Sequence, residues 1–161
     1  MDAIGVSITL DGAQFGAAMA RMRSLGSFDP APLMEEIAAL GESQTRRRIS
    51  EDKTAPDGTP WAPNRNGTPI LAETGQHLLA SLAWYASAEE AVWGASWEFA
   101  HIHQEGAVIV AKNAPYLTFF SGGAWRRAKS VTIPARPFIG LSAENRAEIE
   151  DLVSDHFARL P

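Results

Sequence analysis

The chain has 161 residues, 45% of them hydrophobic, enough for one domain with a buried core and too few for two comfortable ones. It contains no cysteine, which excludes disulfides and cysteine-ligated zinc or iron–sulfur sites, and nothing points to an oxidising compartment. A net charge of −5 and an isoelectric point near 5.3 argue against a protein that grips nucleic acid over its whole surface.

The N-terminal MDAIGVSITLDG lacks a basic segment followed by an apolar run, and no stretch approaches the roughly 20 apolar residues of a membrane span. A cytosolic protein is expected. Ile4, Val6, Ile8 and Leu10 alternate with small or polar residues, predicting a strand closed by a turn at Asp11-Gly12. Phe15, Ala18, Met19, Met22 and Leu25 recur at helical spacing, so a helix is predicted to stop at Gly26. A second helix starts at Asp29-Pro30, buries Leu33, Met34, Ile37, Leu40 and Ile49, and ends near Arg46-Arg47-Arg48, where positive charge meets the negative end of the helix dipole.

Residues 51–69 shift to Pro, Gly, Asn, Asp and Thr and predict a long ordered loop pinned by Trp61. Leu71, Leu78, Leu79 and Leu82 mark a short helix around Thr74-Gly75-Gln76, followed by a hairpin carrying Leu82, Trp84 and Ala86, then Val92 to Gly94. Residues 97–106 read as a short helix with Gly106 as its C-cap, turning Phe99, Ile102 and His103 inward. Residues 107–133 predict a long, projecting β-arm with apolar residues on both faces and few partners in so small a domain. Ser142 caps a last helix whose apolar stripe is Ile149, Leu152, Val153, Phe157 and Leu160. The expected fold is a single α+β domain over 1–161, a small, mostly antiparallel sheet packed with about four helices, plus the arm.

Charge is uneven along this plan. Between Gly106 and Gly140 the charged residues are Lys112, Arg126, Arg127, Lys129 and Arg136, with no acid among them. From Leu141 onwards the balance reverses, with Glu144, Glu148, Glu150, Asp151 and Asp155 against Arg146 and Arg159. A basic arm and an acidic helix on one chain can attract each other between copies, but charge alone favours two solvated faces that never meet.

Signals for catalysis are weak. His101 and His103 with Glu105 are the only cluster that suggests a metal-dependent hydrolase, but on a helix the two imidazoles lie about 200° apart, so His103 is expected to be structural. Nucleophile elbows, Walker loops and dinucleotide fingerprints are absent, and Glu35-Glu36 and Glu89-Glu90 diverge as adjacent residues do. A DNA-binding regulator built on Arg46 to Arg48 conflicts with the acidic charge and lacks helix-turn-helix spacing. The segment IPARPFIGLS, 133–142, is more informative. Pro134 and Pro137 stiffen it, Arg136 offers a planar fork and Phe138 an apolar anchor, so it reads equally as a preformed elbow that docks on a partner or as an ordinary loop into the last helix.

In order, EDKTAPDGTPWAP (51–63), ILAETGQHLLASL (70–82), VWGASWEFAHIHQEG (92–106) and IPARPFIGLS (133–142) resemble the phage virion morphogenesis family of tail-completion proteins of Mu-like and related tailed phages. The family's motif positions here are Asp57, Gly58, Trp61, Thr74, Gly75, His103, Gln104 and Gly106, with Phe99 where Tyr is frequent and His77 where leucine is usual. The resemblance implies a non-enzymatic virion protein without cofactors, acting at the neck and present in the host cytoplasm during assembly. It further implies a ring, often sixfold, with portal-side or tail-tube neighbours, around DNA that passes through without sequence-specific binding. A tail terminator or a head-closure stopper would share these traits. On this reading Arg126, Arg127, Lys129, Pro134, Arg136, Pro137 and Phe138 are the expected interface residues between subunits.

Overall fold

A computed structural model describes residues 6–10, 16, 19–20, 26, 28–71 and 76–159. Ile4, the Asp11-Gly12 turn, most of the predicted helix from Phe15 to Leu25, Thr74, Gly75 and Leu160 lie outside the described residues; Gly16, Met19 and Ala20 have helical backbone, and Met19 is buried.

Strands β1 (Val6–Leu10), β2 (Leu82–Ala86) and β3 (Ala91–Ala95) form an antiparallel sheet in the order β1-β3-β2. The central strand β3 buries Ala91, Trp93 and Ala95, the alternate residues that face the core. The outer strand β2 leaves Trp84 and Tyr85 exposed.

Helix α1 (Ala31–Arg47) buries Leu33, Met34, Ile37, Ala38, Gly41, Gln44 and Thr45, a stripe at three- and four-residue spacing. The Asp29 carboxylate accepts the Ala31 N–H at its start (3.0 Å). Gly41 is essential to the packing, because a Cβ there would sit 2.4 Å from the Trp93 indole. The chain then widens into a π-helical turn, Arg48–Asp52, and leaves it at Lys53, whose backbone is left-handed (φ 56°). Two short helices follow, α2 (Gln76–Ala80) and α3 (Ala100–Glu105).

Helix α4 (Ala143–Ala158) lays Ile149, Leu152, Val153 and Phe157 against the cluster of Leu33, Met34, Ile37 and Trp93. Ser142 and Asn145 cap it reciprocally. A second cluster contains Ile49, Trp61, Leu78, Leu82, Ala95, Ala100, Phe138 and Ile139, and Ile8 packs against both. Among the described residues there are thus four α-helices on a small antiparallel sheet, an α+β fold.

Residues 107–133 form two further antiparallel ladders, nested in sequence. Strand β4 (Ala107–Val110) pairs with β7 (Ser130–Ile133), and inside them β5 (Leu117–Ser121) pairs with β6 (Ala124–Ala128) through a turn at Gly122-Gly123.

Replacing Gly41 by Ala should destabilise the protein by about 1–3 kcal/mol in urea unfolding, although Ala is intrinsically the better helix former by roughly 1 kcal/mol, because the added methyl meets a ring that has no room to move.

Candidate functional site

Residues 134–141 leave β7 for α4 without a strand beside them, so their backbone polar groups need partners from elsewhere. The Arg136 N–H donates to the His103 carbonyl (2.8 Å). The Trp61 Nε1–H donates to the Pro137 carbonyl (3.2 Å). Gln104 closes a double clamp: its Oε1 accepts the N–H groups of Phe138 (3.0 Å) and Ile139 (3.1 Å), while its Nε2 donates to the Ile139 carbonyl (3.0 Å). Arg48 Nη1 donates to the carbonyls of Phe138 (3.1 Å) and Gly140 (2.8 Å), and Nη2 to Asn145 Oδ1.

Gly106 completes the seat. Its φ is 77°, and a Cβ would lie 2.8 Å from the Ala135 nitrogen and 3.0 Å from the Ile133 carbonyl oxygen. The Asp57 carboxylate accepts the Thr59 N–H (2.9 Å) and shapes the 51–69 loop, which delivers Trp61. Motifs far apart in sequence, PDGTPW, HQEG and IPARPF, therefore meet around one stretch of backbone.

Arg48 is the member that sequence reasoning misread. Of the three arginines, Arg46 pairs with Glu42 and Arg47 with Glu148 (2.8 Å), both at least partly exposed, but Arg48 turns inward and is 3% exposed. Its position was readable: it lies four and seven residues after the buried Gln44 and Gly41, on the same stripe. Asn145, which orients Arg48, and Gln44, which donates to the Asn145 carbonyl (3.1 Å) and to Glu148 (2.6 Å), were missed as well.

The elbow's own residues require a correction. Phe138 is 0% exposed and packs in the core, and both Nε and Nη2 of Arg136 donate to the Ala62 carbonyl (3.0 and 2.8 Å). Neither side chain is free to anchor a partner, because the subunit's own loop and helices occupy both. The prolines stiffen a segment that docks internally; Pro134 is exposed and Pro137 half-buried. Phe99 also departs from expectation. It precedes α3, is exposed and meets Trp97 edge-on, since the helix starts only at Ala100.

His103 is half-buried, and its ring stacks on Trp97 (5.5 Å between centroids), which stacks on its other side with His77 (5.8 Å). Its buried Nδ1 finds no hydrogen-bond partner among the described residues. Burial, reinforced by the Arg136 charge, lowers the pKa of this imidazole. Among the described residues no group of three or more His, Asp or Glu side chains is arranged to hold a metal ion. No helix among them is long and apolar enough to cross a membrane.

The arm contrasts with the elbow. No residue from 107 to 135 is buried, although the stretch contains Val108, Ile109, Val110, Tyr116, Phe120 and Trp125. Arg126, Arg127 and Lys129 are exposed; Arg126 Nε donates to the Ser121 carbonyl (3.2 Å), and Arg127 and Lys129 make no ion pair among the described residues. The inner hairpin touches the body at Asn66, whose Nδ2 donates to Ser121 Oγ (2.9 Å).

An α+β body that holds an elbow internally and presents a basic, apolar ribbon has counterparts in sequence. Residues 10–158 match the phage virion morphogenesis family, and the chain belongs to it. It is 31% identical over 133 residues to Mu-like prophage FluMu G protein 2 of Haemophilus influenzae, covering 81% of this chain and 80% of the relative. It is 30% identical over 140 residues to tail completion protein S of Escherichia phage P2, covering 79% and 83%. No solved structure matches the chain.

Phe138→Ala should lower the stability of the isolated subunit by about 3–5 kcal/mol, the cost of a large cavity in a packed core. Gln104→Ala should cost about 1–3 kcal/mol for each buried backbone group left unpaired, measurable in the same unfolding series.

Stability should also depend on His103. Its folded pKa is depressed, so the unfolded chain binds the proton first; stability is complete above the ordinary value of 6.5 and is lost as pH falls below it. The thermal midpoint should drop between pH 7 and pH 5, and His103→Gln should flatten that drop. Glu148 acts in a lower window. Burial opposes its ionisation, but hydrogen bonds from Gln44 and Arg47 outweigh this and hold it below its ordinary 4.5, so its contribution disappears only under that pH.

Proposed function

We propose that the protein is a non-enzymatic structural component of a tailed-phage virion, a tail-completion protein that assembles with copies of itself into a ring around the DNA channel at the neck. The observation that carries the ring is the ribbon of residues 107–135, apolar and basic yet without one buried residue. A solvated monomer gains nothing from such a surface, whereas a neighbouring subunit gains apolar burial and charge pairing from it. An arm received by a different surface of the neighbour makes a head-to-tail contact, which repeats until rotation closes it. Kinship with a tail completion protein supports the tail end of the virion as the place of action.

The net charge of −5 suits a conduit, since DNA slides past carboxylates that it would grip as lysines. Portal-side or tail-tube proteins are the axial neighbours on this reading, and assembly takes place in the host cytoplasm.

Light scattering on the native protein across a concentration series should give a mass that is a whole multiple of 17.4 kDa and stops growing once the ring is closed. Particles assembled without the protein should carry defective head–tail junctions that addition of the purified protein repairs. A monomer at every concentration, together with normal particles in its absence, would overturn the reading.

A further inference from the structure

The arm has a tip and the body has a cleft, and their chemistries match. At the tip, Gly122 and Gly123 (φ 61° and 77°) make the tight two-residue turn that joins β5 to β6. Immediately behind the turn, Phe120 and Trp125 are directly opposed across the ladder and meet edge to face, 5.7 Å between centroids. They are 61% and 74% exposed, the most exposed aromatic pair among the described residues. Arg127, opposite Thr118, lies on the same face of the ribbon as this pair. An aromatic pair flanked by a guanidinium is the composition of an interface anchor.

The cleft, of about 690 Å³, lies between the end of α1, the start of the 51–69 loop and the N-terminus of α4. Its walls include Asp52, Pro56, Asp57, Ala143 and Glu144. The cleft's two cations are already engaged, Arg47 with Glu148 and Arg48 with the elbow carbonyls and Asn145. Asp52 lies close enough to Arg47 and Arg48 to favour their charged forms, whereas Asp57 and Glu144 form no ion pair among the described residues. The Asp57 carboxyl is held below its usual range by the Thr59 N–H. The result is an acidic cleft with proline and alanine in its walls, of a size that encloses an indole and a guanidinium.

We infer that the hairpin tip of one subunit, Phe120 to Arg127, inserts into the cleft between Pro56 and Glu144 of the next copy of this chain. Charge complementarity selects the occupant: the stretch from Gly106 to Gly140 carries no acid, and the cleft carries two carboxylates, Asp57 and Glu144, without an ion pair among the described residues. Within its own subunit the hairpin is tethered instead to Asn66 of the loop. Tip and cleft are different surfaces, so the contact is heterologous, and every subunit both gives and receives. This inference deepens the ring reading and rests on it. It also gives the exposed Asp57 a role besides turning the loop.

The absence of cysteine makes a clean test possible. Single variants Ala124→Cys at the tip and Ala143→Cys at the cleft, both at exposed positions, are mixed one to one and oxidised. A mixed disulfide dimer that forms in the mixture and in neither variant alone is the expected result. In parallel, Trp125→Ala should raise the concentration needed for assembly by about thirtyfold or more while leaving the thermal midpoint unchanged, since Trp125 contributes nothing to the core. Arg127→Glu should abolish assembly, and combination with Glu144→Arg should restore it. If the ring forms but Trp125→Ala leaves it intact and no mixed disulfide appears, the tip-to-cleft contact is wrong and the ring survives. If the unmodified chain stays monomeric at every concentration and no mixed disulfide appears, both fail.

Discussion

A stretch of backbone that leaves a strand and reaches a helix with no ladder beside it exposes donors and acceptors that must be met inside the protein, and here side chains from three distant elements meet them. Arg48, Gln104 and Trp61 hold the backbone from Pro137 to Gly140. A buried guanidinium is costly, and Arg48 is tolerated because carbonyl dipoles and Asn145 surround it and the Asp52 carboxylate favours its charge. The same contacts tie the end of α1 to the start of α4, so the helical layer and the elbow are placed together. Phe138 is carried into the core by this clamp, and the second hydrophobic cluster forms around it.

This arrangement divides the molecule by how its surfaces are satisfied. In the body, polar backbone without ladder partners is matched by specific side chains, and most apolar groups are covered, with Trp84, Tyr85 and Phe99 as exceptions. In the ribbon of residues 107–133 the backbone pairs with itself, while the side chains of both faces remain outside any core. The two regions join at Gly106, where the elbow backbone passes too close for any Cβ. Close packing at this junction gives the ribbon a defined exit from the body.

Four of the motif residues have structural roles in the subunit. Gln104 and Trp61 act through hydrogen bonds to the elbow, Asp57 through its loop turn and Gly106 through its missing side chain. None of these roles needs a substrate. Trp125 and Arg127 of the arm, by contrast, have no such role in the body, and on the proposed reading they are the residues that meet a neighbouring subunit.

Local patterns in the sequence determined much of this fold. The alternation of Val6, Ile8 and Leu10, the stripe from Leu33 to Ile37, the Ser142 cap and the hairpin strands around Trp84 and Trp93 depend on periodicity and capping, which neighbouring residues fix by themselves. The charge split between arm and last helix was equally visible. The direction of Arg48 and the interior fate of Arg136 and Phe138 were decided only by tertiary structure. A fork and an aromatic after a proline read the same whether they dock on a partner or on the chain's own loop. Which happens depends on whether groups such as the Ala62 carbonyl and Gln104, more than 30 residues away in sequence, arrive within hydrogen-bond distance. Three-dimensional closure supplies those partners, and no local propensity encodes them.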